Sequence, residues 1–69
     1  MATSLNMVKG YRVAANITQE EMANELGVSD TTYRNMETEM KFTLEQMNKF
    51  TQVINRVDPS VKTTDIFFR

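Results

Sequence analysis

The segment from residue 18 to residue 37, TQEEMANELGVSDTTYRNME, constrains the fold of this chain more than any other. Thr18 and Glu21 have the spacing of a capping box, in which each side chain accepts a hydrogen bond from the other residue's backbone amide. Gly27 follows a short run with helical apolar spacing, where helices commonly end in a left-handed residue. The sequence therefore predicts a short helix that begins after Thr18 and ends at Gly27.

A second helix is predicted to follow this turn directly. Ser29 is a favoured helix-capping residue, and the apolar spacing after it continues to Glu37 or Thr38. The inward-facing residues of this helix would be Val28, Tyr33 and Met36. Because only three residues join the two helices, the helices must cross steeply. This arrangement is typical of a helix-turn-helix that reads DNA.

The chain resembles the lambda-repressor-like, XRE-type helix-turn-helix family, which includes phage repressor and Cro proteins and small bacterial regulators. The residues that carry the resemblance are Arg12, Ile17, Thr18, Gln19, Ala23, Leu26, Gly27, Val28, Ser29 and Glu37. The resemblance spans nearly the whole chain and implies an all-α fold, a compact five-helix bundle. It also implies a transcriptional regulator, a phage-type repressor, that binds double-stranded operator DNA as a homodimer. The helix at residues 29–37 would then enter the major groove.

The resemblance assigns roles to four individual residues. Gln19 is expected to contact a DNA phosphate, and Lys41 lies where the loop of the family meets the DNA backbone. Arg12 and Glu37 are expected to form a structural salt bridge inside the bundle.

The remaining DNA contacts are predicted from the side-chain chemistry of the second motif helix. Short hydroxyl, amide and carboxylate groups suit the edges of bases, and arginine reaches guanine or a phosphate. We predict DNA contacts from Ser29, Asp30, Thr31, Thr32, Arg34 and Asn35. The alternative for each of these side chains is an ordinary solvated helix face.

The flanking segments have the spacing of further helices. The first helix is predicted to begin after Thr3 or Ser4 and to end near Ala15, with Asn16 as a left-handed cap. Its inner face would consist of Leu5, Val8, Tyr11 and Ala15.

The fourth helix is predicted to begin with a second capping box, Thr43 with Gln46, and to end at Asp58 and Pro59. Its core stripe would be Leu44, Met47, Phe50, Ile54 and Val57. A last short turn is predicted to be capped by Thr64, with Ile66 and one phenylalanine packing against the first and fourth helices.

Length and composition narrow the function. The chain has 69 residues and is predicted to form one domain over residues 1–69. Because it contains neither cysteine nor histidine, we expect no metal site, no cofactor and no enzymatic activity. No apolar run is long enough for a membrane span, and the N-terminal sequence MATSLNM has no signal-peptide pattern, so we expect no membrane association and a cytoplasmic location.

Charge argues for weak DNA binding by a single copy. The formal net charge is -1, and the segment from residue 18 to residue 30 holds four acids and no base. DNA binding draws much of its affinity from cations at phosphates. We therefore expect modest affinity for one half-site, which a homodimer would raise by combining two half-sites.

One departure from the family pattern keeps a second function open. Family members usually carry a glycine in the turn after the reading helix, whereas this chain reads Glu37-Thr38-Glu39-Met40-Lys41-Phe42-Thr43. The alternative is a protein-binding module on the same fold, such as an antirepressor, an antitoxin or a regulator of a repressor. It would use the acidic surface and the Phe67-Phe68 end, because one helical turn cannot bury Ile66, Phe67 and Phe68 together.

Overall fold

The computed structural model describes residues 7–68, and this part of the chain contains five helices and no strand. The helices are α1 (Met7–Ala14), α2 (Gln19–Leu26), α3 (Asp30–Glu39), α4 (Leu44–Asn55) and α5 (Thr63–Phe67). The all-α, five-helix prediction is confirmed. The predicted start of the first helix, with Leu5, lies outside the described residues. Between residues 7 and 68, no helix is long and apolar enough to cross a membrane.

Side-chain caps begin three of the helices where the sequence predicts them. The Thr18 hydroxyl accepts from the Glu21 amide at 3.0 Å, and the Glu21 carboxylate accepts from the Thr18 amide at 2.8 Å. Thr43 and Gln46 form the same reciprocal pair at the start of α4. Ser29 caps α3 by accepting from the Thr32 amide at 3.1 Å. These bonds satisfy amides that the helix itself leaves without partners.

Left-handed residues end the first three helical segments. Gly27 has a φ of 73° and Asn16 a φ of 61°, and both are confirmed as predicted caps. The third is Met40, with a φ of 56°, which follows the end of α3 at Glu39. Methionine thus occupies a left-handed position that glycine adopts without strain, at a cost of about 1–2 kcal/mol.

The core lies between the helices, and each of α1 to α5 contributes at least one buried residue to it. Its fully buried members include Val8, Met22, Ala23, Tyr33, Phe50, Val53, Ile54 and Ile66. The ring of Phe42 packs edge-to-face against Phe67 at 5.1 Å and against Phe50 at 6.1 Å, a geometry that aromatic quadrupoles favour. As predicted, α5 packs against α1 and α4 through Ile66 and Phe67.

The structure corrects both ends of the predicted α4 stripe. Leu44 is 65% exposed and Val57 is 59% exposed, so neither is a core residue. Leu44 is the first residue of α4, and Val57 lies beyond its last residue, Asn55, so both fall outside the packed middle of the helix. Val53, which was not part of the predicted stripe, is buried in the core.

The predicted cap of the last helix is also wrong. Thr64 lies inside α5, and Lys62 is the capping position. The Asp65 carboxylate accepts from the Lys62 amide at 2.9 Å. The carboxylate three residues into the turn, and not a threonine hydroxyl, therefore satisfies the amide that precedes the helix.

Candidate nucleic-acid interface

Helix α3 has two chemically distinct faces. Tyr33, Met36 and Glu37 are buried, at a spacing of three and four residues that places them on one side of the helix. The opposite side presents four exposed polar residues, which are Thr31, Thr32, Arg34 and Asn35. The helix therefore offers solvent a continuous hydrogen-bonding surface.

The turn before α3 fixes how this surface is presented. Met22 and Ala23 of α2 are fully buried, and α2 packs directly against α3. After Gly27 reverses the chain, the Val28 amide donates to the Ala23 carbonyl at 3.0 Å. The end of α2 thereby sets the position of the first residue of α3.

A buried ion pair joins α1 to the inner face of α3. Arg12 Nε lies 2.9 Å from Glu37 Oε2, and Arg12 Nη2 lies 3.2 Å from Glu37 Oε1. The third guanidinium nitrogen, Nη1, donates to the Ile17 carbonyl at 2.8 Å. Side-chain exposure is only 8% for Arg12 and 3% for Glu37. One arginine thus holds α3 and the segment that leads into α2.

Two further side chains donate hydrogen bonds to the Glu37 carboxylate. The Tyr33 hydroxyl donates to Oε2 at 2.6 Å, and Gln19 Nε2 donates to Oε1 at 3.1 Å. Each carboxylate oxygen therefore accepts two hydrogen bonds. The pair of Arg12 with Glu37 was expected from the resemblance to the family, whereas the bonds from Tyr33 and Gln19 were not predicted. Tyr33 lies one helical turn before Glu37, and Gln19 reaches Glu37 only because α2 packs against α3.

The network controls the protonation of its members. Burial by itself would raise the pKa of the Glu37 carboxyl, but the hydrogen bonds from Arg12, Tyr33 and Gln19 outweigh it and hold the pKa below its ordinary value. The hydrogen bond to Glu37 raises the pKa of Arg12. Burial, together with the bond to Glu37, raises the pKa of the Tyr33 phenol. Glu37 is therefore a carboxylate at neutral pH.

Gln19 occupies a position between this network and solvent. Its side-chain amide carries two N–H groups, and the bond to Glu37 uses one of them. The other N–H can donate to a phosphate without breaking the internal bond. The internal bond of Gln19 to Glu37 is therefore compatible with its predicted contact to a DNA phosphate.

The other predicted DNA-binding residues are placed around α3. Ser29 and Thr32 are joined at the start of the helix, where the serine hydroxyl donates to the threonine hydroxyl at 2.9 Å. Asp30 beside them is half-buried. Lys41 lies in the loop after α3, with its Nζ 4.0 Å from Glu39 and its side chain 79% exposed. An ion pair this long and exposed contributes little, so the ammonium group is available for another anion.

Comparison with known proteins agrees with this geometry. No curated protein and no solved structure matches the chain. The family model described as Helix-turn-helix matches residues 8–61, which is most of the chain and includes α1, the turn between α2 and α3, and α4. The chain belongs to the lambda-repressor-like, XRE-type helix-turn-helix family of DNA-binding regulatory domains.

Proposed function

We propose that this protein is a sequence-specific transcriptional regulator, a repressor of the phage type, that reads the major groove of operator DNA with α3. The outer face of α3 carries the proposal. Thr31, Arg34 and Asn35 are exposed, and within residues 7–68 their side chains have no protein hydrogen bond or ion pair. Asparagine pairs with adenine through two hydrogen bonds, arginine pairs with guanine, and the threonine methyl contacts thymine.

The residues at the borders of this face are proposed to hold the DNA backbone or to complete the reading. Ser29, Asp30 and Thr32 lie at the start of α3, the end at which helix-turn-helix proteins contact base edges. Gln19 and Lys41 lie at the flanks, where an amide N–H and an ammonium group suit phosphate oxygens. Phosphate contacts position the protein, and base contacts select the sequence.

The exposed apolar residues around the end of α5 support a homodimer. Phe67 packs against Phe42 in the loop after α3, and the next residue, Phe68, is 59% exposed. Met40 and Leu44, two residues to either side of Phe42, are 45% and 65% exposed. A second copy that covered these side chains across a two-fold axis would give a dimer with one reading helix in each copy.

A titration against duplex DNA tests the proposal. The expected operator is an inverted repeat with half-site centres about one helical turn apart, and random duplex is the control. The affinity for both should fall with salt. Lys41→Ala should weaken binding to operator and random duplex alike and lower the salt slope by about one unit. No binding to any duplex at low salt would overturn the proposal.

The exposure of Phe68 also favours the second candidate function, a protein-binding module on the same fold. Phe67 packs in the aromatic cluster, so Phe68 is the exposed residue of the Phe67-Phe68 end. Phe68→Ala separates the two functions. If the protein binds another protein, this variant should lose that activity and keep whatever DNA affinity the parent has.

A further inference from the structure

A second surface of the protein is largely apolar and is separate in its residues from the proposed reading face. Three shallow depressions adjoin one another on it, because Val57 lines two of them and Tyr11 and Ala14 connect the second to the third. We name it the Val57 surface, formed by Tyr11, Ala14, Ile17, Val53, Val57 and Val61. It combines α1, the end of α4 and the loop that follows, and includes none of the residues proposed to contact DNA.

The charges that border the Val57 surface are mostly negative. Its lining includes three carboxylates, from Glu21, Glu25 and Asp58. Among the described lining residues the one cation is Arg56, and both of its terminal nitrogens bind Glu25, at 2.8 and 3.0 Å. The border therefore keeps two negative charges without a balancing cation.

Each of these two carboxylates can accept a further donor. Glu21 uses Oε1 for the amide of Thr18, and Asp58 uses Oδ1 for Ser60. In the part of the chain that the structure describes, Glu21 Oε2 and Asp58 Oδ2 accept no hydrogen bond. An approaching lysine or arginine would find one oxygen available on each.

We propose that the Val57 surface binds an amphipathic helix of a partner protein, with an apolar stripe flanked by lysine or arginine. A chain of adjoining depressions suits side chains at every third or fourth position of a helix. The acidic border would repel DNA, and it would pair with basic residues beside the stripe. Two copies placed face to face across a two-fold axis would bring acids of like sign together, which disfavours a second copy as the occupant.

The test uses the full chain and two synthetic peptides of about 18 residues, or five helical turns. Both carry leucine at a spacing of three and four residues; the remaining positions are lysine in one peptide and glutamate in the other. Fluorescence anisotropy measures binding, and chemical-shift changes in the labelled protein locate it. The lysine peptide should bind at least about tenfold more tightly, because complementary charge favours it.

A matched pair of variants assigns the site. Val57 and Val13 are exposed to nearly the same degree, 59% and 57%, but Val13 lines none of the three depressions. Val57→Lys should weaken binding of the lysine peptide by about tenfold, whereas Val13→Lys should change it by less than about twofold. Should Val57→Lys lose the helical circular dichroism of the parent protein, Val57→Ser replaces it.

Three outcomes would overturn this proposal. They are equal binding of the two peptides, an equal response of the two valine variants, and a dimer in sedimentation that Val57→Lys dissociates. The last would assign the surface to a second copy. DNA affinity should be the same in both variants and the parent. The peptide measurements contain no DNA, so a failure of the DNA-binding proposal would not change their expected outcome.

Discussion

The inner and outer faces of α3 differ in how completely their polar groups are bonded within the protein. On the inner face, the Glu37 carboxylate accepts four hydrogen bonds from three other residues. On the outer face, Arg34 and Asn35 are exposed and have no protein partner within residues 7–68. One helix thus has a face that fixes its position and a face left free for a ligand.

This difference separates stability from recognition. Substitutions on the inner face should change the free energy of unfolding, because they break bonds that exist in the free protein. Substitutions of Thr31, Arg34 or Asn35 on the outer face should change DNA affinity alone, because the bonds of these side chains form only in the complex. The predictions below test that separation.

The largest effect is expected from Arg12→Ala. This variant leaves the Glu37 carboxylate buried without its cation, and the free energy of unfolding should fall by about 3–5 kcal/mol, measured by urea denaturation. A double variant, Arg12→Met with Glu37→Leu, removes both charges and should recover most of the loss. A loss below about 1 kcal/mol in Arg12→Ala would show that the pair behaves as a surface salt bridge.

On the outer face, Asn35→Ala and Thr31→Ala should weaken binding to the preferred operator. Each is expected to cost about 1–3 kcal/mol of binding free energy on that operator and little on unrelated duplex. The free energy of unfolding should stay within about 0.5 kcal/mol of the parent. Equal affinity and selectivity after alanine replaces Thr31, Thr32 and Asn35 together would mean that α3 is not the reading helix.

A smaller effect is expected from acid. The pKa of Glu37 is lower in the folded protein than its ordinary value, so the ionised carboxylate stabilises the fold above the unfolded pKa of about 4.3. This contribution is lost progressively as the pH falls below that value. The half-buried Glu25 carboxyl and the exposed Asp58 carboxyl also have lowered pKa values, so Glu37→Gln should reduce the acid sensitivity of unfolding without abolishing it. An unchanged pH profile in Glu37→Gln would contradict the assignment.

The smallest effect is expected at Met40, the residue that follows the end of α3. Met40→Gly relieves the strain of a left-handed methionine and should stabilise the protein. The gain should not exceed about 1 kcal/mol, because the higher entropy of glycine in the unfolded chain offsets part of it. The control is Gly27→Ala, which introduces a side chain at the left-handed turn after α2, where only backbone strain opposes it. Thermal denaturation should move in opposite directions for the two variants, and a loss of stability in Met40→Gly would contradict the argument.

Local features of the fold were predictable from the sequence because their causes are local. The caps at Thr18, Ser29 and Thr43 depend on residues within three positions of one another, and the turn at Gly27 depends on one residue. Short-range hydrogen bonding therefore sets most of the helix starts. The same reasoning did not identify Met40, because its left-handed conformation is imposed by how α3 joins α4 and not by its own preference.

Packing at longer range accounts for the errors. Helical spacing placed Leu44 and Val57 in the core, but a helix buries only the part that its neighbours cover. The bond from Gln19 to Glu37 joins residues separated by 18 positions and depends on the crossing of α2 and α3. The exposure of Thr31, Thr32, Arg34 and Asn35 was predictable from periodicity, because it follows from the helical repeat of Tyr33 and Met36.

The fourfold coordination of Glu37 has a consequence for how this sequence can evolve. A change at Gln19 or Tyr33 removes one of these hydrogen bonds and a change at Arg12 removes two, so the first substitution leaves the carboxylate partly unsatisfied and is costly. After a change at Arg12, a second substitution that removes the acid recovers most of that cost, because neither buried charge then remains. Mutations at these positions should therefore show strong epistasis, whereas Thr31, Arg34 and Asn35 on the outer face of α3 can change one residue at a time without this cost.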